Sequence, residues 1–210
     1  MATKAQKEKA KKVVAARNKQ IAKDNAAFEK LTPSEKRVAI AQEVIVQLAT
    51  KRLIASPGTW LDFSFERTDE DPELQSILKE TKECHGCALG GMFMCAVEKA
   101  NKLKVSELDC IDDGGASQDD VFDYMSRFFT EEQLHLIEVC FEQGNGAGNV
   151  GGTQLDQALA FFGENEDGYD PEVEAAVRMR LIMENIVANK GRFVVTKKPV
   201  MTWSTPGYKG

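Results

Sequence analysis

A mainly α protein, a compact helical domain around a buried central helix with a minor two- or three-stranded sheet, is what three features of this sequence predict. The stretch Gly86 to Val97 has no ionisable group besides two thiols, in a chain of 210 residues with 27 basic and 33 acidic side chains. Helix-start signals recur along the chain, each followed by apolar residues at helical spacing. Only one segment alternates with the period of a strand.

Residues 2–30 are rich in Ala, Lys, Gln and Glu, all strong helix formers. Val14, Ile21 and Phe28 recur every seventh residue, which brings them to one helix face. The stripe is thin, so a loosely docked basic helical arm is expected over residues 1–31. Thr32-Pro33-Ser34-Glu35 then joins a hydroxyl N-cap, Pro at the first helical position and Glu at the third. Val38, Ala41, Ile45 and Leu48 mark the core-facing stripe of that helix, which ends near Lys51 before Ser56-Pro57-Gly58 breaks the chain. Between Thr59 and Phe65, Leu61, Phe63 and Phe65 alternate with Trp60, Asp62 and Ser64, the clearest strand pattern in the chain.

Asp71-Pro72 opens a short helix to about Glu80, and the neutral central helix runs from about His85 to Lys102. Cys84, Ala88, Gly91 and Cys95 form its small-residue face, with Leu89, Met92, Phe93, Ala96 and Ala100 on the other. Gly90 and Gly91 each cost about 1 kcal/mol relative to Ala in a helix, which implies a neighbouring helix at close approach. Ser117 precedes a helix over Gln118 to Phe128. Thr130-Glu131-Glu132-Gln133 is a second capping box, opening a helix with Leu134, Ile137 and Phe141 on one face. Thr153 caps a short helix to Phe162. Asp170-Pro171 starts a long one in which Ala175, Met179, Ile182 and Ile186 line a face before Gly191 closes it. Phe193-Val194-Val195 is expected to pair with the Trp60 strand. One globular domain thus covers residues 32–196, followed by an extended tail over 197–210.

Charge is divided unevenly. Residues 1–37 carry eleven basic side chains against four acidic ones, a net of +7, which leaves −13 for the rest of a chain whose total is −6. Such a basic arm, with Lys11, Lys12 and Arg17, is suited to contacting nucleic acid or protein. The body instead gathers Asp109, Asp112, Asp113, Asp119, Asp120 and Asp123 into an acidic patch that could take a hard cation or meet a basic partner. No apolar run approaches the ~20 residues of a membrane helix, so a soluble protein with no membrane partner is expected, in a cytoplasm that keeps its five cysteines reduced.

Cys84-His85-Gly86-Cys87 admits several chemistries. Two thiolates three residues apart can grip one zinc ion, with His85, Cys110, His135 or Cys140 as the further ligands, so a structural zinc on Cys84 and Cys87 is the one cofactor considered. A redox dithiol needs a preceding thioredoxin-like strand, where a helix is expected instead. A thiol nucleophile at a helix N-terminus could use His135 as base. Packing of small side chains is the reading the spacing favours. The glycine-rich run Gly144 to Gly152 includes G-x-G-x-x-G from Gly146 to Gly151, but follows no strand and reads as a loop, with nucleotide binding as the alternative. Asn165, Asp167, Gly168 and Glu174 match calcium-loop positions, yet Gly163 stands where the first Asp is needed, which excludes an EF-hand.

In combination, Arg37-Val38-Ala39-Ile40-Ala41, Gly58-Thr59-Trp60, Cys84-x-x-Cys87-Ala88-Leu89-Gly90, Leu134-x-x-Ile137-Glu138-x-x-Phe141-Glu142 and Met183-Glu184-Asn185-Ile186-x-x-Asn189-x-Gly191-x-Phe193 resemble a family of small uncharacterised proteins encoded by tailed phages. The resemblance spans about Arg37 to Phe193 and brings no catalytic residue with it. It implies an accessory protein acting in an infected bacterial cytoplasm. The expected function is therefore non-enzymatic: binding and modulating a host or phage macromolecule, in counter-defence, with the acidic surface directed at a basic, nucleic-acid-binding protein. Two alternatives stand beside it, sequestration of a small nucleotide-like ligand and a thiol enzyme or zinc-stabilised module using Cys84 and Cys87.

Overall fold

In the computed structural model, described over residues 19–20, 22–63, 71–100, 103–108, 115–142 and 175–195, the neutral stretch does form the middle of the molecule. The arm ends in a helix, α1, over residues 22–29. Then follow α2 (Pro33–Ala49), β1 (Leu53–Ala55), β2 (Leu61–Phe63), α3 (Leu74–Glu80), β3 (Cys84–Gly86) and α4 (Ala88–Ala100). A 3-10 turn at Val105–Glu107, β4 (Gly115–Ala116), α5 (Gln118–Met125), α6 (Glu131–Glu142) and α7 (Ala175–Ala188) complete the order. The protein is mainly α with a minor sheet, as expected, although the sheet reaches four very short strands in the order β1-β3-β2-β4.

Every residue of α4 from Ala88 to Glu98 is buried. It packs against α2, α3, α5, α6 and the sheet, while α7 covers α2 and reaches α6 and β1. Capping chemistry sets the helix starts as the sequence implies. Thr32 and Glu35 form a reciprocal capping box on α2, and Ser117 does the same with Asp120 on α5. On α6 the Thr130 hydroxyl accepts from the Gln133 amide at 3.4 Å, but the Gln133 side chain is directed elsewhere. The stripe of α2 is rotated from the expected one: Ala41 is buried with Ile40, Val44 and Gln47, while Val38, Ile45 and Leu48 are half-buried.

Further expectations are corrected. Cys84 does not belong to the central helix. Residues 84–86 are the inner strand β3, parallel to β1 and antiparallel to β2, with Cys84 between Leu53 and Phe63. Alternation of side chains along β3 then buries Cys84 and Gly86 towards α4 and turns His85 outward. Phe193-Val194-Val195 joins no strand. Its backbone is satisfied by side-chain amides instead: Phe193 exchanges bonds with Gln133, receiving and donating at 3.2 and 2.8 Å, and Val194 does so with Asn185 at 3.0 and 2.9 Å. Primary amides carry both a donor and an acceptor, so each mimics the edge of a strand.

The close neighbour implied by Gly90 and Gly91 is a strand, not a helix. A Cβ on Gly90 would sit 1.5 Å from the Trp60 carbonyl oxygen, and one on Gly91 would meet Leu53 of β1 at 2.7 Å. Gly90→Ala adds helix propensity of about 1 kcal/mol, but the contact cannot be relieved without moving backbone. The variant should lose at least ~2 kcal/mol of stability by urea denaturation, within the usual range of overpacking. A Gly90→Ala protein as stable as the parent would contradict this packing.

Candidate functional site

The thiols are the sharpest chemical candidates of the sequence, and the structure buries them. Cys87 is the residue preceding α4, and its Sγ accepts from the Gly90 amide at 3.4 Å while lying 3.8 Å from the Trp60 carbonyl. It thus acts as an N-cap with sulfur in the place of oxygen. Burial pushes its thiol up to about 12 despite the amide, and burial pushes Cys84 up to about 11 despite Arg52. The charges that act on the two differ: Arg52 and Glu98 on Cys84, Glu142 and Glu138 on Cys87. Cys95 and Cys140 are buried too, whereas Cys110 lies outside the described residues. Among the described residues, no three His, Cys, Asp or Glu side chains gather to hold a metal. His135, the base considered for a thiol nucleophile, faces Glu131 and Glu138 of its own helix, each at 3.6 Å.

That face of α6 carries a second group of titrating residues. Glu138 is raised above the ordinary carboxylate value by burial, against the pull of His135. Glu142, one turn on, is raised by burial and further by Glu138, although its carboxylate accepts from the Gly58 amide at 2.9 Å. A carboxylate with a raised value favours the fold below the unfolded value of about 4.5, and that contribution is lost as pH rises through the folded value. At neutral pH the pair therefore costs stability.

The structure places three of the six expected acidic residues on a concave surface, while Asp109, Asp112 and Asp113 lie outside the described residues. Asp119 and Asp120 begin α5, and with Asp123 they line a hollow of about 190 Å³ floored by Leu103 and Leu108. Glu107, Tyr124, Arg127 and Leu103 are shared with an adjoining chamber of about 450 Å³, so the two form one groove. The chamber is walled by Leu31, Pro33, Ala100 and Phe128, with Glu29 and Lys36 at its edge. Lys36 is paired with Glu29 at 2.9 Å and lies over the Phe28 ring at 5.4 Å. Asp120 is engaged in the α5 cap, accepting from both the Ser117 amide and hydroxyl. Asp119 and Asp123 are exposed.

Tyr124 occupies the junction. It is 5 % exposed, its ring meeting Phe93 edge-on at 5.2 Å and carrying the Arg127 guanidinium at 4.6 Å. Its hydroxyl finds no hydrogen-bond partner among the described residues, and burial pushes it up to about 12, with Arg127 and Glu29 the charges that act on it. A buried hydroxyl left unbonded costs about 1–3 kcal/mol. Tyr124, Arg127, Lys36 and Glu107 were not singled out by sequence, since nearly a hundred residues separate Glu29 from Arg127 and no periodicity links them. Asp112, Asp113, Lys11, Lys12 and Arg17 lie outside the described residues, as do the glycine-rich run and the calcium-like positions.

Two outcomes follow. In a Cys110→Ala protein, a thiol reagent such as DTNB at pH 8 should label the folded chain over hours and all four remaining cysteines at once in guanidinium. Glu142→Gln keeps an acceptor for Gly58 while removing one like charge. It should raise stability at pH 7 by about 0.5 kcal/mol, and the gain over the parent should shrink as pH falls from 7 to 5. Comparison with known family models, with curated proteins and with solved structures finds no match to this chain.

Proposed function

We propose that the protein is a non-enzymatic accessory protein that binds a basic macromolecule through the groove beside α5. The partner class is a nucleic-acid-binding protein of host or phage, and the setting is counter-defence in an infected bacterial cytoplasm. The observation that carries this reading is the groove itself, with the exposed carboxylates of Asp119 and Asp123 beside an apolar floor of Leu103 and Leu108. Carboxylates so placed attract a cationic segment from a distance, and the floor gives it apolar area to bury once docked. The net −13 of the chain beyond residue 37 adds a field of the same sign. The motif resemblance to tailed-phage proteins supports the setting. The thiol-enzyme alternative is weakened by thiols that are buried and held protonated.

An affinity pull-down from bacterial lysate at 50 mM salt, run with the parent and with an Asp119→Asn/Asp123→Asn double variant, tests the reading. A basic protein should be retained by the parent, released between 50 and 300 mM salt, and lost from the double variant. Equal retention by both proteins would sink the proposal, as would a partner indifferent to salt.

A further inference from the structure

The groove is not uniform, and its two halves ask for different groups. At one end Asp119, Asp120 and Asp123 stand over Leu103 and Leu108. At the other, the 450 Å³ chamber is lined by Leu31, Pro33, Ala100 and the Phe128 ring, together with the cations of Lys36 and Arg127. That volume is of the order of pockets that enclose a small organic molecule or a large side chain. The lining mixes apolar side chains with charged ones, and its rings and cations favour one kind of occupant. Tyr124 and Phe128 can meet a ring edge-on, and Arg127 and Lys36 are already placed against aromatic faces at 4.6 and 5.4 Å. The Tyr124 hydroxyl supplies the second demand. It is a buried donor without a described partner, acted on by Arg127 and Glu29, both of which line the chamber. An occupant that brings a hydrogen-bond acceptor would satisfy it.

We propose that the groove takes a basic peptide segment anchored by one aromatic residue. The aromatic side chain fills the chamber between Phe128, Pro33 and Leu103, and the Tyr124 hydroxyl donates to the backbone carbonyl beside that anchor. The flanking Lys or Arg residues lie on Asp119, Asp123 and Glu107. Charge complementarity selects this occupant. Among the described lining residues, with Lys36 paired to Glu29, the exposed carboxylates of Asp119 and Asp123 and the cap-engaged ones of Asp120 and Glu107 outnumber the guanidinium of Arg127. Tyr124 is then a binding residue of the groove, because a segment that leaves its hydroxyl unbonded forfeits the bond without recovering its desolvation. The inference rests on the groove being a docking site for a basic segment.

Fluorescence anisotropy with two fluorescein-labelled synthetic heptapeptides separates the two claims. One has the sequence Lys-Lys-Gly-Trp-Gly-Lys-Lys and the other has Ala in place of Trp. At 50 mM salt the Trp peptide should bind the full chain at least 10-fold more tightly than the Ala peptide. Tyr124→Phe, which keeps the ring packed on Phe93, should weaken binding of the Trp peptide at least 3-fold, and Ala100→Phe, which fills the chamber, should abolish the preference for Trp over Ala. The Asp119→Asn/Asp123→Asn variant should weaken both peptides about equally. Salt-sensitive binding of the two peptides with equal affinity would overturn the aromatic anchor and leave the acidic docking reading standing. Binding of neither at low salt would overturn that reading as well. Dimerisation of the parent that Ala100→Phe prevents, seen by sedimentation, would assign the groove to a second copy of the chain and overturn the proposal.

Discussion

The close approach of α4 to the Trp60 carbonyl is the constraint on which the rest of this structure depends. A helix can lie that near a strand backbone only where it has no Cβ, and Gly90 meets that condition. The same carbonyl region is bracketed from other sides. The Cys87 amide donates to Thr59, the Cys87 thiol caps α4 beside Trp60, and a Cβ on Gly115 would lie 2.1 Å from the Leu61 carbonyl. The small or absent side chains of Gly90 and Cys87 at α4 and of Gly115 in β4 thus let β2 sit inside the helical shell. Because β2 is held there, its neighbours β3 and β4 fall into register with it.

On the far side of α4 the fold is tied by an ion pair between half-buried Arg52 and buried Glu98. Arg52 forms a two-pronged bridge to Glu98 and also donates to the Leu78 and Thr81 carbonyls and to Gln47. One guanidinium therefore joins α2, α3, α4 and the start of β1. Ion pairs at this depth offset their own desolvation only when the remaining donors are also satisfied, and here the carbonyls at the end of α3 complete the set. Cys84 lies within reach of this charge, and the positive guanidinium is still too weak to counter the burial of the thiol. In this setting Cys84 packs in β3 and Cys87 caps α4.

Where the structure spends stability is more informative about function than where it gains it. Glu138 and Glu142 keep like charges half-buried one turn apart, and Tyr124 keeps a hydroxyl buried with no described partner. The first is partly offset by the Gly58 amide and by His135. For Tyr124 no compensation from a described residue is seen, and it sits where the two hollows of the groove meet. Binding sites commonly hold such unsatisfied groups, since the partner completes them.

Much of the local structure was legible in the residues themselves. Thr32 with Glu35 and Ser117 with Asp120 are short-range bonds, and a capping box needs only four residues to declare itself. The burial of Leu134, Ile137 and Phe141, and of Met179, Ile182 and Ile186, follows from helical spacing alone. So does the neutral centre of α4. What sequence could not decide was every feature made by pairing distant segments. Residues 84–86 have three positions, too few for a period to show, and became a strand only because Leu53 and Phe63 arrive on either side. Gln133 completes its helix signal on paper yet turns to Phe193, sixty residues away. Asp119 and Asp120 could be marked as acidic from composition, but that they border a groove depends on Glu29, Leu103 and Arg127 meeting across separate elements. Tertiary packing alone brings them together, because the energy that places them belongs to the core beneath and not to the groove residues themselves.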